Sequence, residues 1–224
     1  MASATLGLAV GTRVGESLRR AVAEQGSATH PYLANPALLR GPEAARNLAD
    51  AVHFLCLLYG RQPCAIDHAA NRCVEPPERD WFRGALEGFA VERALLARLV
   101  VAAGPIPSTA GAVDSETAVI AQRHAIEMLA QSERRGCPLG AALGIVLDWP
   151  PIRAVLNAAA ARFSIEPPLQ ALGDPGAIPV LADASAVTPG MERALLFGAT
   201  QVALQHRGLW DLLEARQQAR SLLA

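Results

Sequence analysis

The chain of 224 residues contains no lysine; all 20 of its basic residues are arginine. That absence excludes Schiff-base chemistry and the lysine of a phosphate-binding loop. Aromatic residues make up only 4% of the chain against 51% hydrophobic residues overall, so Ala, Leu, Val and Ile must fill the interior. Alanine and leucine are strong helix formers, and composition favours helix before any periodicity is read. An excess of one charge is missing too, since 20 basic residues stand against 21 acidic ones for a formal net charge of −1. Such a chain has no global attraction to a phosphate backbone or an anionic lipid surface. Its basic residues are not interleaved with aromatics on one face either. We expect no nucleic-acid partner and no membrane partner.

Further absences narrow the class. No apolar run reaches the roughly 18–20 residues needed to cross a bilayer, and the longest, Leu139 to Leu147, reads as buried helix. No positive charge precedes the apolar stretch Leu6 to Val10, while Arg13, Arg19 and Arg20 follow it, the wrong order for a secretory leader. Four cysteines in such a chain fit reduced thiols in the cytoplasm. No stretch alternates with period two, so little or no β structure is expected. A Gly-x-Ser-x-Gly elbow is lacking. Gly7, Gly11 and Gly15 recur without a preceding strand or a following Gly-Lys-Ser/Thr, so they do not read as a phosphate loop.

What is present is a run of helical segments in one all-α domain. Residues 1–42 read as an N-terminal arm with one helix, about Val10 to Glu24. Core helices occupy 43–163, a Pro/Gly-rich connection with at most a short turn of helix spans 164–189, and a final helix covers 190–224. Within the core, the helix after Gly41-Pro42 ends at Tyr59 and is apolar on nearly every face, which marks it as central. The next runs from Glu78 to Ala103 and stops at Gly104-Pro105. A third is capped by Asp114 or Ser115 and continues to Arg135. A fourth starts near Pro138, ends or kinks at Asp148-Trp149-Pro150-Pro151 and resumes through Phe163. The sum is a single-domain bundle of five to seven helices. The pairs Gly84 with Gly88 and Gly140 with Gly144 would let helices approach closely, and the tail Glu214 to Arg220 is expected in solvent.

Ionisable residues at core positions carry the functional question. Glu92 shares one helical stripe with Trp81, Ala85, Gly88, Leu95 and Leu99. A bare carboxylate there costs several kcal/mol, on the order of what one buried ion costs, so it must be paired, hydrogen-bonded, metal-bound or protonated. Asp50 and His53 lie one turn apart on an apolar helix, which predicts a buried His53. His124 and Glu127 repeat the spacing on the stripe Glu116, Ile120, His124, Glu127, Gln131. On the last helix His206 lines up with Ala199, Ala203, Trp210 and Leu213, at the boundary of a solvated flank.

Carboxylates and imidazoles on several helices that can face one another resemble the ferritin-like di-metal carboxylate bundles. The resemblance spans about residues 43–215 and implies a ferritin-like architecture, with an orthogonal bundle as the alternative. It also implies a centre for Fe or Mn, or for Zn, built from Asp50, His53, Glu92, His124 and Glu127 with His206. The chain departs from that pattern, because it has no Glu-x-x-His, only Asp50-x-x-His53 and the reversed His124-x-x-Glu127. A second cluster, Cys64, Asp67, His68 and Cys73, has the residue types of a zinc knuckle but needs Asp67 or His30 as fourth ligand. A short helix from Pro63 to Arg72 explains the same residues without metal.

Two readings stay open. One is a metal or small-molecule site inside the bundle. The other is a non-catalytic helical scaffold or protein-interaction module, in which the same side chains form a structural polar network. A small molecule, a protein or a second copy of the chain is an allowed partner, and no reaction is named by any motif.

Overall fold

Proline, glycine and small polar residues decide where helices begin in this chain. The computed structural model describes residues 13–73, 75–170, 172 and 175–222. Nine α-helices lie among them, and no strand. They are α1 Val14–Gln25, α2 Pro36–Leu39, α3 Ala44–Tyr59, α4 Ala65–Arg72, α5 Pro76–Ala103, α6 Ala112–Ala130, α7 Cys137–Arg162, α8 Ala177–Ser185 and α9 Pro189–Ser221. Six have twelve residues or more, within the expected five to seven; the short α2, α4 and α8 come in addition. Residues 10–12 of the expected first helix, with Gly7 and Gly11, lie outside the described residues.

Pro36, Pro76 and Pro189 open α2, α5 and α9, where a missing N–H costs nothing. Asn35 and Thr188 cap two of these starts by accepting the N–H groups of Ala37 at 2.9 Å and Met191 at 3.2 Å. Two boundaries differ from expectation. Helix α6 follows Gly111, which sits at φ 71° and serves as N-cap in place of Asp114 or Ser115. It stops at Ala130, short of Arg135, because Ser132 and the backbone of Arg134 take over the next N–H groups and turn the chain into α7. The connection holds a whole helix, α8, instead of a single turn.

Helix α7 is the axis of the molecule. Eighteen of its 26 residues are buried, and it packs against α1, α3, α4, α5, α6 and α9. The apolar α3, expected to be central, is one of these neighbours. Pro150 and Pro151 lie inside α7 and do not end it, as packing from several sides holds the ladder across the two missing N–H donors. It is also the one helix among the described residues long and apolar enough to cross a membrane, with 78% of its apolar window buried against the rest of the fold.

The closest packing is α7 against α9. A Cβ on Gly144 would stand 2.8 Å from the Ala199 Cα, and one on Gly140 would overlap the Leu195 backbone. Gly198 does the same from α9, lying on the Cys137 carbonyl. Gly84, by contrast, faces open space. The arm is held at two points: Gly15 fits under Pro179 of α8 and donates its N–H to Asp183 at 2.9 Å, and the turn Ser27–Thr29 docks on α7 and α9.

Candidate functional site

The interior of the bundle holds three separate polar clusters, each joining segments far apart in sequence. The deepest centres on Asp148, which α7 presents one residue before Trp149. Its carboxylate accepts the Ser27 N–H at 2.9 and 3.0 Å, the Ser27 hydroxyl at 2.7 Å and the His206 Nδ1–H at 2.7 Å. His206 Nε2 meets the Tyr59 hydroxyl, and Trp210 Nε1–H donates to Ser27 Oγ at 2.8 Å. Asp148, His206, Tyr59 and Ser27 are all essentially without exposure. Burial pushes the Tyr59 phenol well above its ordinary pKa, and the charge of Asp148 adds to this. Tyr59 therefore keeps its proton and can donate it to His206 Nε2. Its ring stacks edge-on against Phe89 and Trp149 at 5.6 and 5.4 Å, which fixes the hydroxyl in place.

Serine, histidine and aspartate together suggest nucleophilic catalysis, yet the connectivity is wrong for it. The Ser27 hydroxyl donates to Asp148 and not to the imidazole, and the Trp210 N–H covers its oxygen. A nucleophile needs a base that takes its proton and a reacting atom beside it. Here serine and histidine share one carboxylate, and Ser27, Asp148, His206 and Tyr59 line none of five surface clefts among the described residues.

The second cluster closes the end where α3 meets the tail of α9. Asp50 accepts from Arg216 Nε at 3.2 Å and Nη2 at 3.0 Å, and from Arg220 Nη1 at 2.5 Å. Arg220 also donates to Thr109 Oγ1 at 2.8 Å and to Asn47, and Arg216 stacks over Phe54 with 5.0 Å to the ring centre. The tail expected in solvent thus sends two arginines inward. In the third cluster Glu92 is fully buried and paired with Arg153 of α7. Arg153 further donates to Asn157 at 2.9 Å and to the Pro168 carbonyl, so it ties α5 to the start of the connection.

The structure does not bring the six expected ligands together. Asp50 is held by two arginines and Glu92 by one. His53, expected to be buried, is half-buried and bonds the Gly104 carbonyl at 2.8 Å, so it is not paired with Asp50. His124 is exposed, and Glu127 lies 3.7 Å from Arg123 on its own helix. Helix α6 turns Ser115, Val119, Ile126 and Ala130 inward, a more apolar face than the stripe through His124. His206 is buried beyond expectation and stands ten residues, about 15 Å along α9, from Arg216. Among the described residues no three His, Cys, Asp or Glu side chains come close enough to hold a metal ion. The residues do not fit a di-metal centre, because arginines occupy the carboxylates that would ligate it.

The residues with the types of a zinc knuckle are set around a short helix, the metal-free alternative. Cys64 caps the start of α4 and Cys73 its end; the Cys64 N–H bonds Asp67 at 2.8 Å, with Arg93 3.3 Å from Cys64 Sγ. His30 lies elsewhere, on Asp211 at 2.9 Å. Burial, then Asp67, raises the Cys64 thiol to about 11, which keeps it protonated.

Sequence reasoning missed Asp148, Ser27, Tyr59, Arg153, Arg216 and Arg220. For Asp148 and Arg153 a signal existed: they are charges that closely follow the longest apolar run of the chain, and the adjacent prolines made the aspartate read as a break. No comparable signal marks Ser27, whose role depends on where the arm lands.

A family model described as a family of unknown function (DUF6975) matches residues 22–221. No curated protein and no solved structure matches the chain.

Proposed function

The chain belongs to this family of unknown function, and from its interior we propose that it works as a non-catalytic helical scaffold, an interaction module whose buried polar residues are structural. One observation carries the reading: Asp148, Asp50 and Glu92 are each paired with protein donors that come from distant segments, Glu92 through Oε1 alone. Ligation is one way to offset the desolvation of a buried carboxylate, and pairing is another. Here the second is in use at all three sites. Four free thiols support a cytoplasmic, reducing setting, and the near-neutral charge favours a protein or small molecule over nucleic acid or an anionic membrane as partner.

Stability measurements on one pair test the reading. Glu92→Gln strands the Arg153 guanidinium and is expected to cost about 3–5 kcal/mol in chemical denaturation, whereas Glu92→Met with Arg153→Met together is expected within about 1 kcal/mol of the parent. Metal analysis of protein purified without chelator is the second arm. Near-stoichiometric Fe, Mn or Zn that is lost in Glu92→Gln or His206→Ala would overturn the scaffold reading.

A further inference from the structure

One buried carboxylate lacks what the three interior ones have. Glu78 is the third residue of α5, after Pro76 and Pro77, and only 8% of it is exposed. A glutamate at this position ordinarily reaches back to the N–H of the N-cap residue. Glu78 accepts no such bond, and its side chain forms no hydrogen bond or ion pair with any described residue. Its place near the positive end of α5 is favourable but small in energy, and it leaves the oxygens without a donor.

Two adjoining clefts share Glu78 as a lining residue. One, of about 190 Å³, lies toward Cys73 and Leu139; the other, of about 310 Å³, lies toward Pro77, Val187 and Met191. The second has the size of a small-ligand site. The cations at the rim are paired with other carboxylates of the same clefts, Arg72 with Glu133 at 2.8 Å and Arg135 with Glu75 at 3.4 Å. No described residue forms an ion pair with Glu78.

The surroundings select the occupant. A metal ion is not favoured, as no set of three donors converges here or elsewhere among the described residues. An anion would face Glu78 directly. Covalent capture by Cys73 is disfavoured, because burial, with the charge of Glu78 second, pushes that thiol up to about 12. A cation with an alkyl stem satisfies both features, setting its head on the carboxylate and its methylenes along Pro77, Val187 and Met191. We propose that the paired clefts over Glu78 bind one alkylguanidinium or alkylammonium group, with the Glu78 carboxylate as counter-ion. This site stands whether or not the interior clusters are structural, since it shares no residue with them.

Calorimetric titration of the full chain tests it, with butylguanidinium and butylammonium as free cations and a blocked peptide carrying one arginine as the side-chain form. Butylurea and the citrulline peptide are the neutral controls. Saturable one-to-one binding of a free cation, of the arginine peptide or of both is expected, and the arm that binds identifies the source. Glu78→Gln is expected to weaken it about tenfold or more. Val187→Trp, at an exposed rim position, should weaken binding while leaving the carboxylate in place. The proposal is overturned if neither cation form binds, if the neutral controls bind as tightly, or if Glu78→Gln leaves affinity unchanged. Should Glu78→Gln not fold by circular dichroism, unchanged affinity in Val187→Trp overturns it instead.

Discussion

The interior around Asp148 and the cleft over Glu78 each bury a carboxylate, and they differ in what answers it. Asp148 receives four hydrogen bonds from two segments, including a backbone N–H, and no described cleft reaches it. Glu78 receives none from any described residue and lines two clefts. Burial alone therefore does not separate a structural charge from a binding one; the separation lies in whether the protein supplies the partner. Where it does, removing the charge should damage the fold. Where it does not, removing the charge should damage recognition and leave the fold alone.

The largest expected effect is at Asp148. Asp148→Ala leaves a buried Ser27 N–H, its hydroxyl and the His206 Nδ1–H without an acceptor, and should cost about 3–5 kcal/mol in urea denaturation. A loss below about 1 kcal/mol would erase the contrast. Next comes Tyr59→Phe, which keeps the ring contacts with Phe89 and Trp149 but strands His206 Nε2, for about 1–3 kcal/mol by the same measurement.

An alkaline titration addresses the cleft. The Cys73 thiol loses its proton near 9 in the unfolded chain and near 12 in the fold. Between those values the folded state binds more protons, so the stability that Cys73 contributes is complete below about pH 9 and falls as pH rises toward 12. About 1 kcal/mol should be gone by roughly pH 10, and the pH slope of Cys73→Ala should be shallower than that of the parent. An identical slope would place Cys73 in a solvated setting. The smallest effect is Glu78→Gln, expected to change stability by less than about 0.5 kcal/mol because no partner is left unpaired. A loss comparable to that of Asp148→Ala would put the two carboxylates in one class.

Much of the fold is legible in the chain itself. The stripe through Ala85, Gly88, Glu92, Leu95 and Leu99 is buried as its spacing requires, and of the ways open to a buried Glu92 the one in use is pairing, with Arg153. Gly140 and Gly144 mark the close crossing of α7 and α9, but Gly198, which completes it, has no such spacing to announce it. The stripe through His124 misled because α6 carries apolar residues on more than one face, and packing chose the face with Val119 and Ile126. Arg216 and Arg220 misled in the opposite sense. Long arginine stems bury readily once a carboxylate waits at the end of them, and that carboxylate, Asp50, is more than 160 residues away.

By itself the sequence determined the helical class, the absence of any convincing strand pattern, most helix starts and the presence of charges that must be answered. Those follow from local chemistry: proline and glycine at boundaries, alanine and leucine between them, and period-3.6 burial. Only the tertiary structure decided which partner answers each charge, since that depends on which distant segments meet. It placed Ser27 and His206 on Asp148 and two arginines on Asp50, and left Glu78, also buried, facing a cleft with no partner among the described residues.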